Sequence, residues 1–142
     1  MTILVSACLL GLRCRYDGQS KPSAAVLALG EKHRLIPCCP EQLGGLPTPR
    51  SPSEWHGSRI VNKLGQDVTP QYLRGGEEAV KLARTLGCAA AVLKERSPAC
   101  GCREIYDGSF SGVLIPGEGS AAKALRAAGI PVYGESELDK LR

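Results

Sequence analysis

Aromatic residues are scarce in this 142-residue chain, at 4%: one Trp, one Phe and four Tyr. So few rings weigh against a module that stacks nucleobases along an aromatic surface, and ten prolines with seventeen glycines weigh against a helix-rich bundle. Histidine is limited to His33 and His56, and no Ser-His-Asp set stands out around them. No run of about 20 apolar residues is present, so no segment reads as membrane-spanning. The opening "MTILVSACLLGL" has no basic stretch before it, a short apolar run ahead of Cys8, and Arg13 and Arg15 soon after. It does not read as an export signal, and the protein is expected to be cytoplasmic. No tract of like charge occurs either. Eighteen Lys and Arg against fourteen Asp and Glu leave a scattered +4, which permits a phosphate-rich partner without requiring one, and nucleic acid is not the expected partner. The glycine-rich pieces "GGLP" and "PGEGS" lack the spacing, the lysine and the hydroxyl of a phosphate-binding loop, so ATP use is not expected.

The chain is instead rich in turn formers and sulfur. With 43% hydrophobic residues, its length suits a single domain over 1–142 with one core. Thr2 to Ser6 reads as a short buried strand, and Pro22 opens a helix to about Leu29. "HRLIPCC" gives a second strand. "PEQLGGLPTPRSPSEWHG" carries four prolines and three glycines and reads as one long functional loop. "SRIVNKLGQDVT" suggests a hairpin around Leu64, Gly65 and Gln66. Thr69-Pro70 starts a helix whose apolar positions keep helical spacing to Leu86, before Gly87. "CAAAVLKE" is a third strand, a helix runs from Ser120 to Ala128 before Gly129, and "IPVYG" is a fourth strand ahead of a charged helical tail. Strands alternating with helices predict an α/β fold, a mainly parallel sheet covered by helices. The strands are continuous apolar runs, as such a sheet requires.

Seven cysteines is a high count for a reducing compartment. Cys8, Cys39 and Cys100 each follow the end of a different predicted strand. Ligands of parallel sheets bind beyond the carboxyl ends of the strands, so these cysteine-bearing loops are expected to meet in one site. Three thiolates suit a metal. A zinc site calls for a further protein ligand, with only two histidines to supply it, whereas an iron-sulfur cluster on three cysteines leaves one iron open to a soft atom such as thiocarbonyl sulfur. Simple burial of the three as small hydrophobes is the rival reading.

The blocks "VSACLLG", "CRYDG", "CPEQLGGLPTPR", "SPACG" and "IYDGSFSGVLIPG" occur in this order over nearly the whole chain, and together they resemble the signature of the thiouracil desulfidase family. That resemblance implies an enzyme with a four-iron four-sulfur (4Fe-4S) cluster that takes sulfur from 2-thiouracil or a related thiolated pyrimidine, giving uracil and sulfide. It places the cluster on Cys8, Cys39 and Cys100, and the catalytic acid and hydroxyl at Glu41 and Ser97. In that chemistry the open iron activates the thiocarbonyl and water attacks its carbon. Glu41, two residues from Cys39 behind Pro40, suits a general base, and Ser97 a proton donor. The chain departs from the pattern in adding Cys38 and Cys102 beside expected ligands.

Cys14, between Arg13 and Arg15, reads either as a reactive accessory thiol or as a loop residue. Cys88 reads as packing, Asp17 and Asp107 as turn residues in Tyr-Asp-Gly, and Arg50, Lys94 and Arg96 as cations flanking the pocket. Two other functions stay open: a non-catalytic metal-binding or redox-sensing module, and a desulfidase acting on thiolated tRNA. The sulfide acceptor is unspecified.

Overall fold

A computed structural model describes residues 1–141. Its centre is a four-stranded, all-parallel sheet built from β1 (Thr2–Ser6), β2 (Arg34–Cys38), β5 (Ala90–Leu93) and β8 (Val132–Gly134), in the order β2-β1-β5-β8. Period-two alternation sends Ile3, Val5, Ala90 and Val92 to one face and Leu4, Ala91 and Leu93 to the other, all at most 2% exposed. The first face is covered by α1 (Ala24–Ala28), through Val26, and by the closing 3-10 turn Leu138–Leu141. The second is covered by α3 (Thr69–Thr85) and α4 (Ser120–Ala127), through Ala79, Ala83, Ala121, Ala122 and Leu125. The small residues on both helices let them pack closely on the sheet and on each other.

The remaining elements are two hairpins, one short helix and the 3-10 turns Ala7–Leu10 and Leu29–Glu31. β3 (Ser53–His56) pairs antiparallel with β4 (Arg59–Asn62), and β6 (Glu104–Tyr106) with β7 (Leu114–Pro116). Between β2 and β3, α2 (Pro40–Leu43) packs so tightly on α3 that an added Cβ at Gly44 would lie 2.0 Å from the Gln71 carbonyl oxygen, and one at Gly75 2.0 Å from that of Pro40. Only glycine fits either place, and this close approach fixes the chain just after Cys39 against α3.

The four parallel strands, the α3 and α4 helices and their covering of the sheet match the sequence reading. Elsewhere the structure corrects it. The first helix begins at Ala24, because Ser23 is the cap and its hydroxyl accepts from the Val26 N–H at 3.3 Å. The stretch Pro40–Gly57 is not one irregular loop: α2 opens it and β3 closes it, since the Gly57 turn (φ 61°) folds Ser53–His56 back onto β4, a hairpin signal masked by the prolines upstream. The reversal at Leu64 and Gly65 exists, but it closes only a single bridge between Val61 and Asp67, because β4 already has a partner. The charged tail is a 3-10 turn rather than an α-helix, and Arg142 lies outside the described residues. The β6–β7 hairpin was not foreseen; its strands are three residues each, too short for a periodic signal.

Candidate active site

The strand order reverses direction at β1: the chain passes from β1 to β2 on one side and then crosses back to lay down β5 on the other. Such a switch leaves a crevice beyond the carboxyl ends of the strands, where loops diverge. Cys8 sits there in the 3-10 turn Ala7–Leu10 that follows β1, Cys39 caps α2 directly after β2, and Cys100 lies in the loop after β5. All three line one cavity of about 610 Å³, together with Glu41 and Ser97. The five residues singled out from the sequence are thus brought to one place by three adjacent strands.

A fourth thiol joins them. Cys14 lines the same cavity, and its side chain is within hydrogen-bonding reach of both Cys8 and Cys39. The Cys39 thiol also donates to the Cys14 carbonyl at 3.7 Å. The hydrogen bond with Cys14 and then burial push the Cys39 thiol well above its usual range, and burial does the same to Cys100. Cys38 borders the cavity but packs in the α3-side core at 3% exposure, where burial lifts its thiol to about 12. Among the described residues, no group of three or more His, Cys, Asp or Glu side chains is gathered tightly enough to hold a single metal ion.

The Glu41 carboxylate on α2 is held by one partner on α3 and one in the segment between α2 and β3. Glu41 Oε1 accepts from Arg50 Nε at 2.8 Å and from the Tyr72 hydroxyl at 2.8 Å. Both partners of the ion pair are largely shielded, with Arg50 and Glu41 side chains 6% and 13% exposed. Arg50 also donates to the carbonyls of Cys14 at 2.8 Å and Pro47 at 3.1 Å, so one guanidinium ties the carboxylate to the loop that carries Cys14. Burial and the adjacent Glu41 charge hold the Tyr72 hydroxyl far above its ordinary range, as a committed donor. Ser97 Oγ accepts from the N–H groups of Ala99 at 3.2 Å and Cys100 at 3.1 Å, which orders the loop and leaves its own proton free to donate.

The remaining candidates fall elsewhere. Cys88 is buried in the core and lines neither described pocket, and Cys102 turns away to donate to Glu137 Oε1 at 3.5 Å. His33 reaches only the amino terminus, and His56 is exposed at the end of β3. Asp17 and Asp107 each accept from the N–H two residues on, closing turns as read. Lys94 lines the cavity but is paired with Glu135 at 3.1 Å.

A model of the 2-thiouracil desulfurase family matches residues 3–137. The chain belongs to the 2-thiouracil desulfurase family. It is 40% identical to the uncharacterized protein YbbK of Bacillus subtilis (strain 168), over 98% of this chain and 99% of that one. Among solved structures it is similar to a 4Fe-4S-dependent thiouracil desulfidase, TudS, with 48% identity, a TM-score of 0.92, and coverage of 99% of this chain and 94% of the other. Against this family background, two residues of the site had gone unread in the sequence. Tyr72 counted only as an apolar position of α3, although a buried tyrosine needs a partner for its hydroxyl. Ser6, which lines the cavity and accepts from the Lys94 N–H at 2.8 Å, closes a buried strand, and a lone polar residue ending an apolar run was the available signal.

Proposed function

We propose that this protein desulfurates a thiolated pyrimidine of the 2-thiouracil class, releasing uracil and sulfide, with a 4Fe-4S cluster on Cys8, Cys39 and Cys100. The observation that carries this reading is the convergence of those three thiols, from loops after three neighbouring strands, on a cavity that also holds a fixed carboxylate and a serine hydroxyl. The donor set fits the group. Thiols are soft ligands suited to iron-sulfur clusters, and the cavity that Cys8, Cys39 and Cys100 line, at about 610 Å³, has room for a cofactor several atoms across. Family membership and the similarity to TudS support the same assignment.

When bound, a cluster held by three cysteines supplies a Lewis-acidic iron with affinity for thiocarbonyl sulfur. The protein groups then have separable tasks. The Glu41 carboxylate, locked on Oε1 by Arg50 and Tyr72, keeps Oε2 without a hydrogen-bond partner among the described residues. That oxygen takes a proton from the water that attacks the thiocarbonyl carbon. Ser97, whose oxygen is already occupied as an acceptor, donates its proton toward the pyrimidine or the departing sulfur and recovers one from solvent. One water is consumed, the carbon–sulfur bond breaks, a carbon–oxygen bond forms, and no electrons are exchanged with an outside partner.

A purely structural or redox-sensing metal role would leave the Glu41–Arg50–Tyr72 arrangement facing the cavity without a task. Turnover separates the readings. Anaerobically reconstituted protein given 2-thiouracil is expected to form uracil and sulfide in equal amounts, and cluster-loaded protein that forms neither from any thiolated pyrimidine would refute the enzyme reading.

A further inference from the structure

Phe110 is the chain's one phenylalanine, and its backbone is in the left-handed region at φ 56°. That conformation is strained for a bulky side chain and persists only where the surroundings impose it. The surroundings here are specific. Phe110 sits in the loop joining β6 to β7, which closes through the Asp107 N–H donating to the Val113 carbonyl at 3.0 Å. Inside it, Glu54 Oε1 on β3 accepts from two N–H groups, Gly108 at 3.0 Å and Phe110 at 3.1 Å. Glu54 thus latches one hairpin onto the other. Gly108 is pressed so closely on β3 that an added Cβ would lie 2.6 Å from the Trp55 carbonyl oxygen. Trp55 in turn donates from its indole to the Pro98 carbonyl at 2.9 Å, so the latch is anchored to the loop that carries Ser97 and Cys100.

The strain is not repaid by core packing. Phe110 belongs to neither hydrophobic core and is half-buried, yet it lines the same cavity as Cys8, Cys39, Cys100 and Glu41. A ring held against its backbone preference, outside the core and on the wall of a site, is placed where a flat ligand would meet it. We infer that Phe110 is a binding residue whose ring stacks on the heterocycle of the substrate, and that Glu54 is a positioning residue that holds it there. This rests on the desulfidase reading above and adds to it a specificity element: selection for a planar, aromatic thioamide over an open-chain one.

Stacking of a base on an aromatic ring changes affinity by about five- to 150-fold on truncation to alanine. Replacing Phe110→Ala is therefore expected to raise KM for 2-thiouracil, and the inhibition constant of the product uracil, by about that factor, with kcat moving much less. Phe110→Leu keeps apolar bulk without a π face and is expected to show a rise of the same sign, whereas Phe110→Tyr stays near wild type. Glu54→Ala should reproduce the KM rise without touching the ring, and Glu54→Gln, whose amide oxygen can accept the same two N–H groups, should largely restore it. Uracil binding measured by calorimetry gives a readout that does not depend on turnover. If wild type binds uracil but fails to turn over any thiolated pyrimidine, the desulfidase reading falls while the stacking test still stands. If Phe110→Leu and Phe110→Ala, folded and cluster-loaded as wild type, keep the wild-type KM and uracil affinity, the stacking assignment is overturned.

Discussion

Cys100 and Cys102 are two residues apart and both are buried, at 5% and 3% exposure, yet they inhabit different chemical settings. Cys100 faces a cavity shared with other thiols, and the Ser6 hydroxyl at the end of β1 is within hydrogen-bonding reach of its thiol. Cys102 borders a separate, smaller pocket, where Glu137 Oε1 accepts from it and also from the Gly134 N–H at 3.0 Å, while Arg103 and Lys140 neutralise the other oxygen. Burial does not distinguish a ligand from a filler. What separates them is the company each thiol keeps. Cys102 is bonded to the Glu137 carboxylate, whereas Cys100 shares its cavity with Cys8, Cys14 and Cys39.

The sharpest way to break this comparison is to remove sulfur on each side of it. Cys8→Ala, Cys39→Ala and Cys100→Ala are each expected to lose the cluster and all measurable desulfuration, whereas Cys102→Ser and Cys88→Ala keep both and lose only about 1 kcal/mol of stability. Iron and acid-labile sulfide analysis with an activity assay reads the difference. Next in size, Glu41→Gln preserves shape but removes the base, and kcat is expected to fall about 10²- to 10⁴-fold with the cluster retained in the absorption spectrum. A smaller effect is expected of Tyr72→Phe, which deletes one of the two donors on Glu41 Oε1. It should cost about 2 kcal/mol in chemical denaturation and lower kcat less than Glu41→Gln does.

The Glu137 carboxylate beside Cys102 offers the mildest test. Burial alone would raise the Glu137 carboxyl, but Lys140, the Gly134 N–H, Cys102 and Arg103 outweigh it and hold the group at about 2. Its folded pKa is below the unfolded one, so its contribution to stability is complete above about pH 4.5 and is lost as pH falls from there toward 2. Denaturation midpoints over that window should fall less steeply in Glu137→Gln than in wild type.

Much of this was legible in the sequence, and for physical reasons. The parallel strands announce themselves as short apolar runs, and three of the four are followed by a cysteine, so their carboxyl edge could be assembled without coordinates. Cys8, Cys39, Cys100, Glu41 and Ser97 were gathered on that ground and on resemblance, and the structure places all five on one cavity. The rest depends on contacts between residues far apart in the chain. Nothing near Tyr72 signals that its hydroxyl meets Glu41, 31 residues away, and nothing near Phe110 signals Glu54, 56 residues away. The α2–α3 and hairpin–hairpin contacts create both pairs. Cys14 was ambiguous because its flanking arginines suggested local chemistry, whereas its actual company is Cys8 and Cys39.

The central claim is that Cys8, Cys39 and Cys100 together hold a cluster with one position left for substrate sulfur. Anaerobic reconstitution followed by metal analysis and absorption spectra, with and without 2-thiouracil, tests it most directly. The account predicts about four irons and four sulfides per chain in wild type, as a 4Fe-4S cluster requires, a spectral change on adding the thiolated base, and loss of both in Cys100→Ala. A full, substrate-responsive cluster in a variant lacking all three cysteines, or a single zinc in wild type, would contradict it.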